Sequence, residues 1–157
     1  MHKPIGQHMV KSPLVADGAF TLKQAHELMK EWNIRHLPIT KDDRLIGLVS
    51  DRDVREAMAL PQGQNLRISD IMKTDVFVAR RSDSLRNVVR KMQKQKIGSA
   101  VVVDSNQNCV GIFTTIDALE ILADMLEDED DASSVLNFED YVEMWRAPSP
   151  YEGLENG

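Results

Sequence analysis

Two kinds of hydrophobic spacing alternate along this chain, and the alternation happens twice. Leu22, Ala25, Met29 and Trp32 recur every three or four residues, the stripe of a helix with one buried face. Thr21 precedes them with Gln24 three residues on, a pairing that satisfies two free backbone N–H groups at a helix start. Apolar runs at 37–40 and 45–49 flank the turn KDDR and predict a hairpin, after which a second helix runs from Ser50 to Met58. Farther along, Leu85, Val88 and Met92 repeat the stripe, residues 100–103 and 109–113 flank DSNQN, and a helix begins at Thr114 and runs to Met125. Short runs at 14–15 and 76–78 predict one strand ahead of each first helix. The unit is strand, helix, strand, strand, helix.

The two units are copies. A shift of 63 residues lays Met9 on Met72, Val15 on Val78, Leu22 on Leu85, Met29 on Met92 and Ile34 on Ile97. One residue is gained in the second turn, so a shift of 64 lays Gly47 on Gly111, Ser50 on Thr114 and Asp53 on Asp117. Matches fall on apolar, glycine, hydroxyl and acidic positions, as a shared backbone requires. Residues 5–60 read as the first domain, 61–67 as a linker overlapping the Pro- and Gly-containing ALPQGQN at 59–65, and 68–126 as the second domain. Residues 68–72 read as a short helical lead-in, mirrored by 5–9. Beyond them, 127–157 hold the acidic EDEDD, an amphipathic helix striped by Val135, Phe138, Val142 and Trp145, and a disordered end.

Composition narrows the functions. No run approaches the roughly 18 apolar residues that cross a bilayer, and MHKPIGQHM lacks a secretory core. One cysteine, Cys109, forms no internal disulfide, so a cytoplasmic setting is expected. A net charge of −6 argues against wholesale binding to nucleic acid or an anionic membrane. His2, His8 and His26 are too scattered for a metal site, with His26 expected on a solvated helix face, and the matched methionines read as packing. No activated nucleophile or carboxylate pair points to an enzyme.

The element order, with GLVSDRD at 47–53, GIFTTID at 111–117 and RHLPI ahead of the first, resembles the cystathionine β-synthase (CBS) domain family. Two tandem copies resemble a CBS pair, or Bateman module, across residues 5–125, in the manner of stand-alone CBS-pair proteins. The resemblance implies an α/β (α+β) fold of two β-α-β-β-α repeats packed about a pseudo-twofold axis, with a C-terminal helix added. It also implies two clefts in which family members bind AMP, ADP, ATP or S-adenosylmethionine, with Mg²⁺ accompanying a polyphosphate. A homodimer and a separate regulated protein are the partners implied; no nucleic acid or membrane is expected.

The residues suit such a ligand. One carboxylate accepts from both hydroxyls of a ribose, and the resemblance puts Asp53 and Asp117 in that role. Ser50 and Thr114 stand at helix N-termini, where N–H and O–H donors favour phosphate. Arg35, His36 and Arg52 are expected to make the Asp53 cleft the phosphate-binding one, since Gly98, Ser99 and Ile116 take their places in the second copy. Backbone around Asp75, Val76, Phe77 and Ile97 would grip adenine for the Asp53 cleft, and Ser12, Pro13, Leu14 and Ile34 for the Asp117 cleft.

Blander readings stand beside these. Ser50 with Asp53, and Thr114 with Asp117, also make plain capping pairs, and Arg52 also reads as a surface residue. A different function is open too: an interaction module that captures a partner through residues 133–146.

Overall fold

The computed structural model describes residues 3–127. Residues 1–121 form one compact unit; of the second, which begins at Leu122, only the end of one helix is described. In chain order the elements are β1 (Val10–Lys11), β2 (Ala16–Asp17), α1 (Leu22–Glu31), β3 (His36–Lys41), β4 (Arg44–Ser50), α2 (Asp51–Met58), α3 (Ile68–Ile71), β5 (Val78–Ala79), α4 (Leu85–Gln95), β6 (Ser99–Val103), β7 (Cys109–Thr114) and α5 (Thr115–Glu127). The expected amphipathic helix at 135–145 lies outside the described residues.

Local chemistry sets the boundaries. Thr21 Oγ1 accepts from the Gln24 N–H at 3.0 Å, and Gln24 Oε1 accepts from the Thr21 N–H at 2.9 Å, closing the capping box that opens α1. Both first helices stop alike: Asn33 and Lys96 turn left-handed (φ 49° and 54°), and the next N–H, of Ile34 or Ile97, donates at 2.9 Å to the carbonyl of Met29 or Met92. The β3–β4 turn is Asp42-Asp43, both at positive φ, as a two-residue hairpin matched to strand twist requires. In the second hairpin Asp104 Oδ1 accepts from the N–H groups of Asn106 and Asn108 and holds the longer turn.

Two sheets result, β2-β3-β4 and β1-β7-β6-β5, with β2 on β3 and β5 on β6 parallel and the other neighbours antiparallel. The first strands sit later than the apolar runs suggested, at 16–17 and 78–79 rather than 14–15 and 76–78. The chain comes alongside its parallel neighbour only opposite Ile39 and Val101, and Leu14 and Phe77 pack against the cores instead.

Each repeat's core is completed by the other repeat's lead-in. Ile68 lies fully buried among Leu22, Met29, Leu37, Ile39 and Val54 of the first copy, while Ile5 and Met9 lie among Val88, Met92, Val102 and Phe113 of the second. β1 adds to the second copy's sheet through β7, and Lys73 bridges Leu48 in the first copy. Gly47 and Gly111 are the hinge of this exchange. A Cβ on either would collide with the sulfur and Cγ of Met72 or Met9, so glycine at both places lets the methionine of the opposite lead-in pack directly on the strand. The hairpins also meet, Leu45 N–H on the Gln107 carbonyl and Cys109 N–H on that of Asp43. Matched contacts of this kind relate the two β-α-β-β-α repeats by a pseudo-twofold axis.

Candidate functional site

Each β-hairpin delivers its last strand directly into a helix, and at both junctions a hydroxyl and an acid close the first turn. The Asp53 N–H donates to Ser50 Oγ (3.1 Å) and the Ser50 N–H to Asp53 Oδ2 (3.4 Å). In the second copy Asp117 Oδ2 accepts from the Thr114 N–H (2.6 Å) and from Thr114 Oγ1 (2.9 Å). Capping and ligand contact are compatible here. In both pairs one carboxylate oxygen serves the cap, and Oδ1 takes no hydrogen bond from a described residue.

The Asp117 tip opens onto a cavity of about 480 Å³, a size ordinary for a small-molecule site. Its floor is the second copy's Ile112, Thr114 and Asp117; its opposite wall is the first copy's Pro13, Leu14, Ile34, Arg35 and His36. Both repeats therefore contribute to one hollow. Ser12 is not on this wall: its φ of 48° turns the chain, and its N–H donates to the Val110 carbonyl at 3.2 Å.

The cations are distributed differently from the sequence reading. Arg35, expected beside Asp53, lines the Asp117 cavity, because the lead-in exchange presents the start of β3 to the opposite copy's helix tip. Arg52, also expected there, is turned along the outside of α2, its side chain 82% exposed and its Nε donating to Glu56 Oε1 at 2.8 Å. Among the described residues the cation that pairs with Asp53 is Lys73, with Nζ 3.9 Å from Oδ2. Lys73 was missed; its signal is that it replaces Val10 of the first copy two residues ahead of Asp75. Asp75, Val76, Phe77 and Ile97 hold, by the 63-residue shift, the places of Ser12, Pro13, Leu14 and Ile34; Val76, Phe77 and Ile97 are half-buried and Asp75 is exposed.

His36 belongs to both halves. It lines the Asp117 cavity, yet its ring fills the space over Gly98, where a Cβ would lie 2.9 Å from Nε2. Burial pushes the imidazole below its ordinary value of 6.5; the Asp53 carboxylate pulls it back up, and Lys73 and Arg35 add to the drop. Its counterpart Ser99 is buried. His26, expected on a solvated face, is half-buried with Nδ1 3.5 Å from Asp51 Oδ1. Burial also raises the Cys109 thiol to about 11.

Two interlocked α/β repeats with a hydroxyl–acid helix tip in each define a tandem pair of small ligand-binding-type domains. The model of the CBS domain matches residues 5–60 and 68–124, and the chain belongs to that family. Among solved structures it is similar to a proposed acetoin utilization protein, AcuB, of Vibrio cholerae, at 29% identity and a TM-score of 0.73, covering 84% of this chain and 100% of that one. It is also similar to the CBS domain pair of protein MJ0100 in complex with 5′-methylthioadenosine and S-adenosyl-L-methionine, at 28% identity and a TM-score of 0.72, covering 80% and 99%. A homoserine O-acetyltransferase of Methanosphaera stadtmanae is 33% identical over 108 residues, 68% of this chain but 21% of that enzyme. The chain spans less than half the length of the curated relatives it matches. No described helix is long and apolar enough to cross a membrane.

Proposed function

We propose that the chain is a regulatory module whose Asp117 cavity holds an adenosine nucleotide between its two repeats. The observation that carries this reading is a single hollow with an uncommitted carboxylate oxygen on one wall and a guanidinium on the other. The vicinal hydroxyls of a ribose offer two donors to Asp117 Oδ1. The N–H groups opening α5 favour a phosphate, and Arg35 supplies fixed charge with matching fork geometry. Pro13, Leu14 and Ile34 form the apolar slot for the base, with backbone groups reading its edge.

The MJ0100 pair, a relative at 28% identity, is described with two adenosyl compounds, which supports adenosine as the common part. Arg35 favours a phosphate over a sulfonium at the other end, so AMP or ADP fits better than S-adenosylmethionine. A ligand touching both repeats biases their relative arrangement, and a separate protein reads that bias. Calorimetry of the full chain with AMP, ADP, S-adenosylmethionine and 5′-methylthioadenosine tests the reading. Saturable binding with the phosphate-bearing ligands tightest is expected; no heat and no melting shift with any of the four overturns it.

A further inference from the structure

The two first helices of the repeats occupy matching places but differ in charge, α1 being balanced and α4 wholly basic. α1 exposes two lysines and two glutamates, with Lys23 paired to Glu27 at 3.9 Å. α4 carries Arg86, Arg90, Lys91 and Lys94 and no acid. Lys91 sits over the Phe77 ring at 4.4 Å. Arg86, Arg90 and Lys94 follow one another at intervals of four, all exposed, and none enters an ion pair among the described residues. Like charges at that spacing destabilise a helix by a few tenths of a kcal/mol each. The stripe is a cost to the free fold that an anion would remove.

The sequence supplies the anion. Residues 1–119 hold 18 Lys/Arg and 13 Asp/Glu, a net of +5, whereas residues 120–157 hold 1 and 12, a net of −11. The overall −6 conceals a basic repeat body and an acidic remainder whose densest stretch is the unbroken run 127–131. From this complementarity we infer that the Arg86–Arg90–Lys94 stripe of α4 docks the acidic run 127–131 of a second copy of the chain. A nucleic acid meets the same stripe but also the −11 remainder, which repels it. A second copy meets that remainder too, but it brings with its acidic run a body of +5 that the remainder attracts, which a nucleic acid lacks.

Sedimentation of the full chain at low and high ionic strength reads the contact, since exposed pairs are screened once the Debye length falls below about 10 Å. Self-association is expected to be about tenfold stronger at low salt, the sum of a few exposed pairs. R86E/R90E and D128K/D130K should each lose this salt-dependent part while keeping the wild-type melting temperature, and mixing them should restore it. Equal salt dependence in the reversed variants, no recovery on mixing, or saturable capture of a short single-stranded oligonucleotide by wild type at physiological salt would each overturn the inference.

Discussion

The two helix tips have the same backbone, the same capping chemistry and the same acid, yet different cations reach them. Arg35 lines the Asp117 cavity, whereas Lys73 stands 3.9 Å from Asp53. The difference arises from the exchange of lead-ins, not from either repeat alone. Each tip is completed by chain from the other copy, so the charge at a cleft is set by residues that precede the opposite repeat's hairpin. A duplicated fold can therefore keep its frame symmetric while its two sites diverge through a handful of substitutions such as Val10 against Lys73 and Arg35 against Gly98.

The exchange itself is the largest effect open to test. Gly47→Val and Gly111→Val each force a branched side chain into the Met72 or Met9 thioether, and overpacking of this kind costs about 1–3 kcal/mol. Urea unfolding should register comparable losses for both. A silent substitution at either position would break the symmetry of the frame.

The cation assignment is next. Arg35→Ala is expected to weaken AMP about tenfold while leaving 5′-methylthioadenosine unchanged, as loss of one charge-assisted contact to phosphate implies. Arg52→Ala, already tied to Glu56 on the surface, should change neither. Calorimetry that found the reverse would move the phosphate site to Asp53.

The smallest effect concerns His36. Its folded value lies below 6.5, so the unfolded chain binds the proton more readily. The stability it contributes is present above about 6.5 and is lost as pH falls through the lower folded value. Melting temperatures should therefore drop from neutral toward acidic pH, and His36→Asn should flatten that part of the curve. An unchanged slope would mean the ring is not held out of water between the repeats.

Much of this was legible in sequence because the repeat is written in local signals. Thr21 with Gln24, Asp42-Asp43 between apolar runs, and a hydroxyl three residues ahead of each acid all specify their structure within a few positions. What was not legible depends on partners distant along the chain. Nothing near Ile5 or Ile68 says which core it fills, although the pairing of Gly47 with Met72 and Gly111 with Met9 leaves a trace once the shift is known. Arg35 precedes its own copy's hairpin, so local reading put it beside Asp53; only the crossed lead-ins turn it toward Asp117. Of the two readings of Arg52, the surface one fits, because Glu56 four residues on takes its guanidinium. Lys96 in a left-handed turn carries no glycine to announce it, so the helix end there was marked only by its match to Asn33.

The most direct test of the account compares AMP binding by Asp117→Ala and Asp53→Ala. Each variant removes the same kind of cap, so the loss of capping is common to both and the difference isolates the ligand. The account predicts that Asp117→Ala loses about 100-fold in affinity, the worth of one carboxylate accepting two hydroxyls, while Asp53→Ala stays within about threefold of wild type. Wild-type affinity in Asp117→Ala, with the loss appearing in Asp53→Ala instead, would contradict it.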